Sequence, residues 1–160
     1  MKSATTLAAT ALLTIGLQGP ALASTTGETP PLMISQAEAL IDQGDFEKAV
    51  SLLAPRMTRL RTEKWQNRGF GLLCRAHLLS NDYEMGVDAC TKAIETGAGD
   101  WLDFSNRGAA HYLAGDYQAA LQDFNRAREL NPDSANVVRN RQAALAALDS
   151  MASERSTGRR

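Results

Sequence analysis

The chain has 160 residues, 44% of them hydrophobic and 22% charged, with 17 basic and 18 acidic side chains. One compact domain suits that length, and a formal net charge of −1 excludes the general attraction for nucleic acid or anionic membrane that a basic excess provides. Of the two cysteines and two histidines, His77 and His111 take the same place in successive repeats, but a metal site needs three or four ligands and no Cys or carboxylate partner is evident around them.

Residues 1–23 read as an export signal. Met1-Lys2 supplies a positive start, a small and apolar run follows from Ala4 to Leu17, and Gly19-Pro20 breaks it before Ala21-Leu22-Ala23, the small-x-small pattern that a signal peptidase accepts. The run is shorter than the roughly 20 residues a membrane span needs. An N-terminal tail on a chain that is not exported is the other reading. No cysteine follows the expected cut, which argues against a lipoprotein, and the mature chain would begin at Ser24. Loss of Lys2 leaves 16 basic against 18 acidic groups. With no second long apolar stretch, no membrane anchor is expected after cleavage. Residues 24–30 read as a flexible lead-in.

From residue 31 the apolar pattern is helical, and no sheet is expected because no stretch alternates with a two-residue period. The predicted helices are 31–43, 46–59, 63–80, 83–96, 101–114, 117–130 and 135–148, and residues 149–160 read as a disordered tail. The helices repeat. Ala110-His111-Tyr112-Leu113-Ala114-Gly115-Asp116-Tyr117 lies 34 residues after Ala76-His77-Leu78-Leu79-Ser80-Asn81-Asp82-Tyr83. A third copy, Ala39-Leu40-Ile41-Asp42-Gln43-Gly44-Asp45-Phe46, lies 37 before the middle one, which requires an insertion of about three residues within Ala54 to Lys64. In each copy a Gly or Asn stops one helix. An Asp (Asp45, Asp82, Asp116) is placed to cap the next, an aromatic opens it, and a small residue (Ala49, Gly86, Ala120) follows where two helices approach.

The copy from Trp101 to Ser134, with Asn106-Arg107-Gly108, Gly115-Asp116-Tyr117, Ala120, Phe124, Ala127 and Pro132, resembles the tetratricopeptide repeat family. The middle copy departs from the family pattern with Cys74, Gly86, Cys90 and Ala98, and the first with Arg56. Over residues 31–148 the resemblance implies an all-α fold, a right-handed α-solenoid of three helix-turn-helix hairpins. Its capping helix would bury Val138, Ala144, Leu145 and Leu148.

Cys74 and Cys90 lie eight residues before and after Asp82, symmetric about the turn. The other hairpins hold Ala37 with Leu53 and Gly108 with Phe124 at these places, one small and one large residue. Two mid-sized cysteines suit a disulfide clamping the hairpin. Two buried free thiols, or a redox-active pair, are the alternatives.

In stacked hairpins the first helices line a trough. Helical spacing turns Ile34, Glu38, Ile41 and Asp42 of the first repeat toward it, then Arg68, Gly71, Arg75, Leu78 and Leu79 of the second. The third contributes Leu102, Ser105, Asn106, Ala109, Tyr112 and Leu113, and the cap Arg139 and Asn140. The partner-binding candidates are Arg68, Arg75, Leu79, Asn106, Tyr112, Arg139 and Asn140. Asn106 and Asn140 are 34 apart, and the resemblance implies that such an Asn bonds the backbone of an extended peptide; Leu72 and Ser35 fill the place earlier. Ile34 and Glu38 depart from the cationic set with which family members grip a C-terminal carboxylate.

Catalytic motifs are missing: Gly69-Phe70-Gly71 lacks the rest of a phosphate loop, and neither G-x-S-x-G nor H-E-x-x-H occurs. The expected function is a non-catalytic scaffold, exported to the periplasm or secreted, that needs no cofactor and holds a peptide or a partner helix. Self-assembly through the ends of the solenoid, and thiol–disulfide exchange, are the alternatives.

Overall fold

The structure is a computed structural model and describes residues 30–97 and 99–157. The expected signal at 1–23 and nearly all of the lead-in lie outside these. Among the described residues there are seven α-helices and no strand: α1 Leu32–Asp42, α2 Phe46–Leu53, α3 Glu63–Leu79, α4 Tyr83–Gly97, α5 Trp101–Leu113, α6 Tyr117–Leu130 and α7 Ala135–Thr157. The hairpins α1/α2, α3/α4 and α5/α6 stack in order. The odd-numbered helices contact one another in one layer, while α2, α4 and α6 each touch only odd-numbered helices among the α-helices. This is an α-solenoid of three hairpins closed by α7.

Each hairpin turn is built the same way. The residues after the first helix, Gly44, Asn81 and Gly115, have φ of 84°, 63° and 87°, the left-handed region that stops a helix. The next N–H reaches back to close the last turn: Asp45 to the Leu40 carbonyl at 2.8 Å, Asp82 to His77 at 2.9 Å, Asp116 to His111 at 2.8 Å. Of the three aspartates only Asp116 is seen capping, accepting from the Ala119 N–H at 3.0 Å. Asp45 takes Lys48 instead (2.7 Å), and Asp82 faces the His77 Nδ1 (3.2 Å).

The predicted helix 46–59 divides. The α-helix ends at Leu53 and Ala54–Arg59 forms a 3-10 helix, because Pro55 has no N–H to continue the ladder. Arg56, which breaks the repeat pattern, donates Nη1 to the Leu52 carbonyl at 2.8 Å, and Met57 and Leu60 are buried. The insertion thus lies between the first two hairpins. At the other end, α7 runs to Thr157, correcting the predicted stop at Leu148 and the tail from 149: no Gly or Pro interrupts Asp149–Thr157, and Met151 and Ala152 favour helix. Val137 and Ala144 are fully buried on α7 and Asn140 is 2% exposed. Val138, predicted to be buried, is 37% exposed.

Inside each hairpin the paired positions decide how closely two helices lie. Gly108 faces Phe124, so a Cβ on Gly108 would come within 2.8 Å of the ring and 3.2 Å of the Ala120 carbonyl oxygen. Ala37 and Leu53 are fully buried at the equivalent place. Between them, Cys74 and Cys90 form a disulfide, with Cα atoms 5.0 Å apart, that joins α3 to α4.

Gly108→Ala is expected to destabilise by about 1–3 kcal/mol, because a buried ring and a backbone oxygen must both yield. Gly86→Ala should be neutral or stabilising, since its nearest neighbour atom would lie 3.6 Å away. Urea denaturation separates the two. Reducing the Cys74–Cys90 bond, which spans 16 residues, should cost about 3 kcal/mol on the same assay.

Candidate functional site

The layer of odd-numbered helices carries a cleft of about 70 Å³ where α3 meets α5. It is lined by Asn67, Arg68, Gly71, Leu72 and Arg75 of α3, and by Asp100, Leu102, Asp103 and Asn106 at the start of α5. Three of the predicted groove residues, Arg68, Arg75 and Asn106, therefore meet in one place.

The arginines are already engaged. Arg68 donates Nε and Nη2 to Glu38 Oε1 at 2.9 and 2.5 Å, and Arg75 donates Nη2 to Asp42 Oδ1 at 2.8 Å. Both bonds tie α3 to α1. The Arg75 Nε is buried with no hydrogen-bond partner. A guanidinium held by a carboxylate attracts an acidic ligand weakly, because the ligand must displace or share that partner.

The acidic wall comes from the start of α5. Asp100 is its N-cap, with Oδ1 accepting from the Leu102 and Asp103 N–H groups at 2.8 and 2.9 Å. Asp103 completes a capping box by accepting the Asp100 N–H on Oδ2 at 3.4 Å, and the same oxygen accepts from Asn67 Nδ2 at 3.1 Å. Asn67 also donates to the Ala93 carbonyl at 2.8 Å, which ties α4 into the cleft wall. Burial first, and then the Asp100 charge, push the Asp103 carboxyl up from 3.8 to about 6. The Asn67 and Asp100 hydrogen bonds and the Arg68 charge pull the other way.

Asn106 forms the floor. It is 6% exposed, and its amide makes no hydrogen bond within the protein. An amide offers both donors and an acceptor; the one buried side-chain polar atom without a partner among the described residues is Arg75 Nε, so the Asn106 amide opens onto the cleft.

The other predicted residues lie elsewhere. Leu79 packs on the core of the first two hairpins, and Tyr112 on that of the third, its ring 5.1 Å from Tyr117. Arg139 is exposed and donates to Asn136 on its own helix, and Asn140 lies on the buried side of α7. None of these four lines the cleft. Ile34, Ile41, Leu78 and Ala109 are core residues, each 3% exposed or less. They fall on the stripe that packs each first helix onto its partner, one step round the helix from Glu38 and Asp42. Sequence reasoning missed Asp100, Asp103 and Asn67. The Asp-x-x-Asp spacing at the head of α5 was the available signal. The histidines sit beside aspartates, His77 on Asp82 and His111 3.9 Å from Asp123, the latter bound mainly by Arg107 at 2.7 and 2.8 Å. No group of three or more His, Cys, Asp or Glu able to hold a metal occurs among the described residues.

Residues 104–134 match the family profile described as Tetratricopeptide repeat. No curated protein matches the chain. Among solved structures, the first TPR domain of human RPAP3 superposes with a TM-score of 0.68 at 18% identity, over 74% of this chain and 91% of that one. The second TPR domain of human RPAP3, in complex with the HSP70 peptide SGPTIEEVD, gives 0.64 at 20%, over 70% and 91%. The first TPR of Spaghetti (RPAP3), bound to the HSP90 peptide SRMEEVD, gives 0.67 at 17%, over 73% and 90%. The described residues have the fold of a tetratricopeptide repeat domain.

The raised carboxyl of Asp103 makes stability depend on pH. The folded state holds this proton more tightly than the unfolded chain, so the contribution is fully present below 3.8 and is lost as pH rises through about 6. Asp103→Asn should remove it: urea midpoints of the variant relative to the parent should climb across that window and level off above it.

Proposed function

We propose that this chain of tetratricopeptide repeat fold is a non-catalytic interaction module that holds an extended segment of another protein along α1, α3 and α5. The observation that carries the reading is the Asn106 amide, which has no partner among the described residues and opens onto the cleft that Arg75 also lines. A peptide backbone supplies the carbonyl and N–H that such groups lack, and an extended strand of chain satisfies them without a specific side chain. The peptides bound to the two RPAP3 domains support the same use of the fold. Their acidic sequences do not transfer, because the first repeat here buries Ile34 and offers the carboxylate of Glu38, and Arg68 and Arg75 are paired.

The module works after export, in the periplasm or outside the cell. The signal-like pattern of residues 1–23 and the Cys74–Cys90 bond support this together, since structural disulfides persist in oxidising compartments.

The test is site-specific photo-crosslinking from Leu102, at the rim of the cleft, in the native host. A defined segment of one protein is expected to be captured, and Asn106→Ala should lower its yield about tenfold, the effect of losing one or two buried hydrogen bonds. Undiminished capture by Asn106→Ala overturns the groove assignment. Mass measurement of the exported protein should give a chain starting at Ser24 without free thiols. A chain still carrying Met1 overturns the export reading.

A further inference from the structure

The cleft has a charge preference. We propose that the segment held there inserts a cationic side chain, a lysine or arginine, whose head group docks on Asp103, and that segments offering an acidic side chain at that place are rejected. This rests on the reading that the groove holds an extended segment and names what that segment must carry.

Three observations converge. The first is the balance of charge. Of the charged groups lining the cleft, Arg68 and Arg75 are each matched by a carboxylate of α1, Glu38 and Asp42. Asp100 and Asp103 form no ion pair among the described residues, Arg68 acts on Asp103 only through space, and the two aspartates leave the cleft a net acceptor of positive charge.

The second is the open oxygen. Asp103 Oδ2 is occupied by Asn67 and the Asp100 N–H, while Oδ1 makes no hydrogen bond. It lies toward Gly71, where a Cβ would sit 3.8 Å from it. With no side chain at Gly71, the approach to Oδ1 is open from α3. The third is Asn106, 6% exposed and unpartnered in the same lining, whose amide oxygen is a second acceptor for the ammonium or guanidinium protons.

The groups facing Asp103 from each packed element fit this assignment. Asn67 orients it from α3 and is itself held by the Ala93 carbonyl of α4; Arg68 is turned to Glu38 of α1; Asp100 adds negative charge from the N-cap. A docked cation would relieve the unfavourable burial of the ionised carboxylate, whereas a carboxylate in its place would meet both aspartates.

The experiment is an NMR titration of the ¹⁵N-labelled mature protein with four capped pentapeptides, Ala-Ala-Xaa-Ala-Ala with Xaa as Arg, Lys, Gln or Glu. It follows the Gly71 backbone amide and the Asn106 side-chain amide. Near neutral pH the Arg and Lys peptides should bind about tenfold more tightly than the Glu peptide. The preference should shrink as pH falls below about 6, where Asp103 takes up its proton. Asp103→Asn should abolish the preference, and Asn106→Ala should weaken all four peptides, the Arg and Lys peptides most. Gly71→Ala introduces its methyl at ordinary contact distance, so it should fold normally and reduce the preference by narrowing access to Oδ1. Equal or tighter binding of the Glu peptide overturns the inference, as does a preference that survives both Asp103→Asn and Gly71→Ala. If all four bind equally, cation selection falls and the peptide groove stands. If none perturbs Gly71 or Asn106, the groove falls as well.

Discussion

Everything in this fold depends on how closely the two helices of a hairpin can approach at one pair of facing positions. The position is solved three times with different chemistry: Ala37 against Leu53, the Cys74–Cys90 bond, and Gly108 against Phe124. One small and one large residue fill the space at two levels, and a covalent bond holds it at the third. Because buried side chains close-pack, that spacing sets where each first helix sits relative to the next. The cleft between α3 and α5 is therefore a consequence of hairpin packing, not a separate construction.

Charge then fixes the character of the layer. Arg68–Glu38 and Arg75–Asp42 link α3 to α1 across the repeat boundary, with side-chain exposures of 37% for Arg68 and 33% for Glu38, and of 13% for Arg75 and 69% for Asp42. Pairs so open to solvent contribute little stability, about 0–1 kcal/mol each. Their larger effect is on recognition, because they occupy the two arginines that would otherwise have made the trough attractive to acids. Asp100 and Asp103 have duties of their own at the head of α5, where the helix dipole favours an anion. Burial works against that preference strongly enough to raise Asp103, and the same carboxylate that caps a helix becomes the least satisfied charge of the cleft.

Local features were legible in the sequence. The Gly or Asn of each turn, the 34-residue offset and the small residues at the crossings locate five helices to within a residue or two, and the start of α2, which Pro55 breaks after Leu53. Features set by another repeat were not legible. The partners of Arg68 and Arg75 lie 30 and 33 residues away, beyond any helical period. Leu79 and Tyr112 read as exposed anchors on a helical wheel, yet neighbouring elements partly cover them. Val137 and Val138 are adjacent on a helix with almost no net amphipathic bias, so the buried one is chosen by the α5/α6 hairpin beneath. The length of α7 followed from the lack of a stop signal, which polar composition concealed.

Two apolar clusters hold most of the buried side chains among the described residues. One spans the first two hairpins and reaches Ala110 of α5; the other joins Ala109, Ala120, Phe124 and Ala144 of the third hairpin and α7. The cleft lies along this seam, with α3 on one wall and α5 on the other. Asn67 crosses it, bonded at once to the Ala93 carbonyl of α4 and to Asp103 of α5. In a linear array each unit is stabilised by its neighbours, so a ligand held by both walls adds to the coupling at the joint that otherwise relies on the α3/α5 and α4/α5 contacts. Binding free energy at the cleft is then also stability of the array, and the position of the site along the solenoid matters as much as the residues that line it.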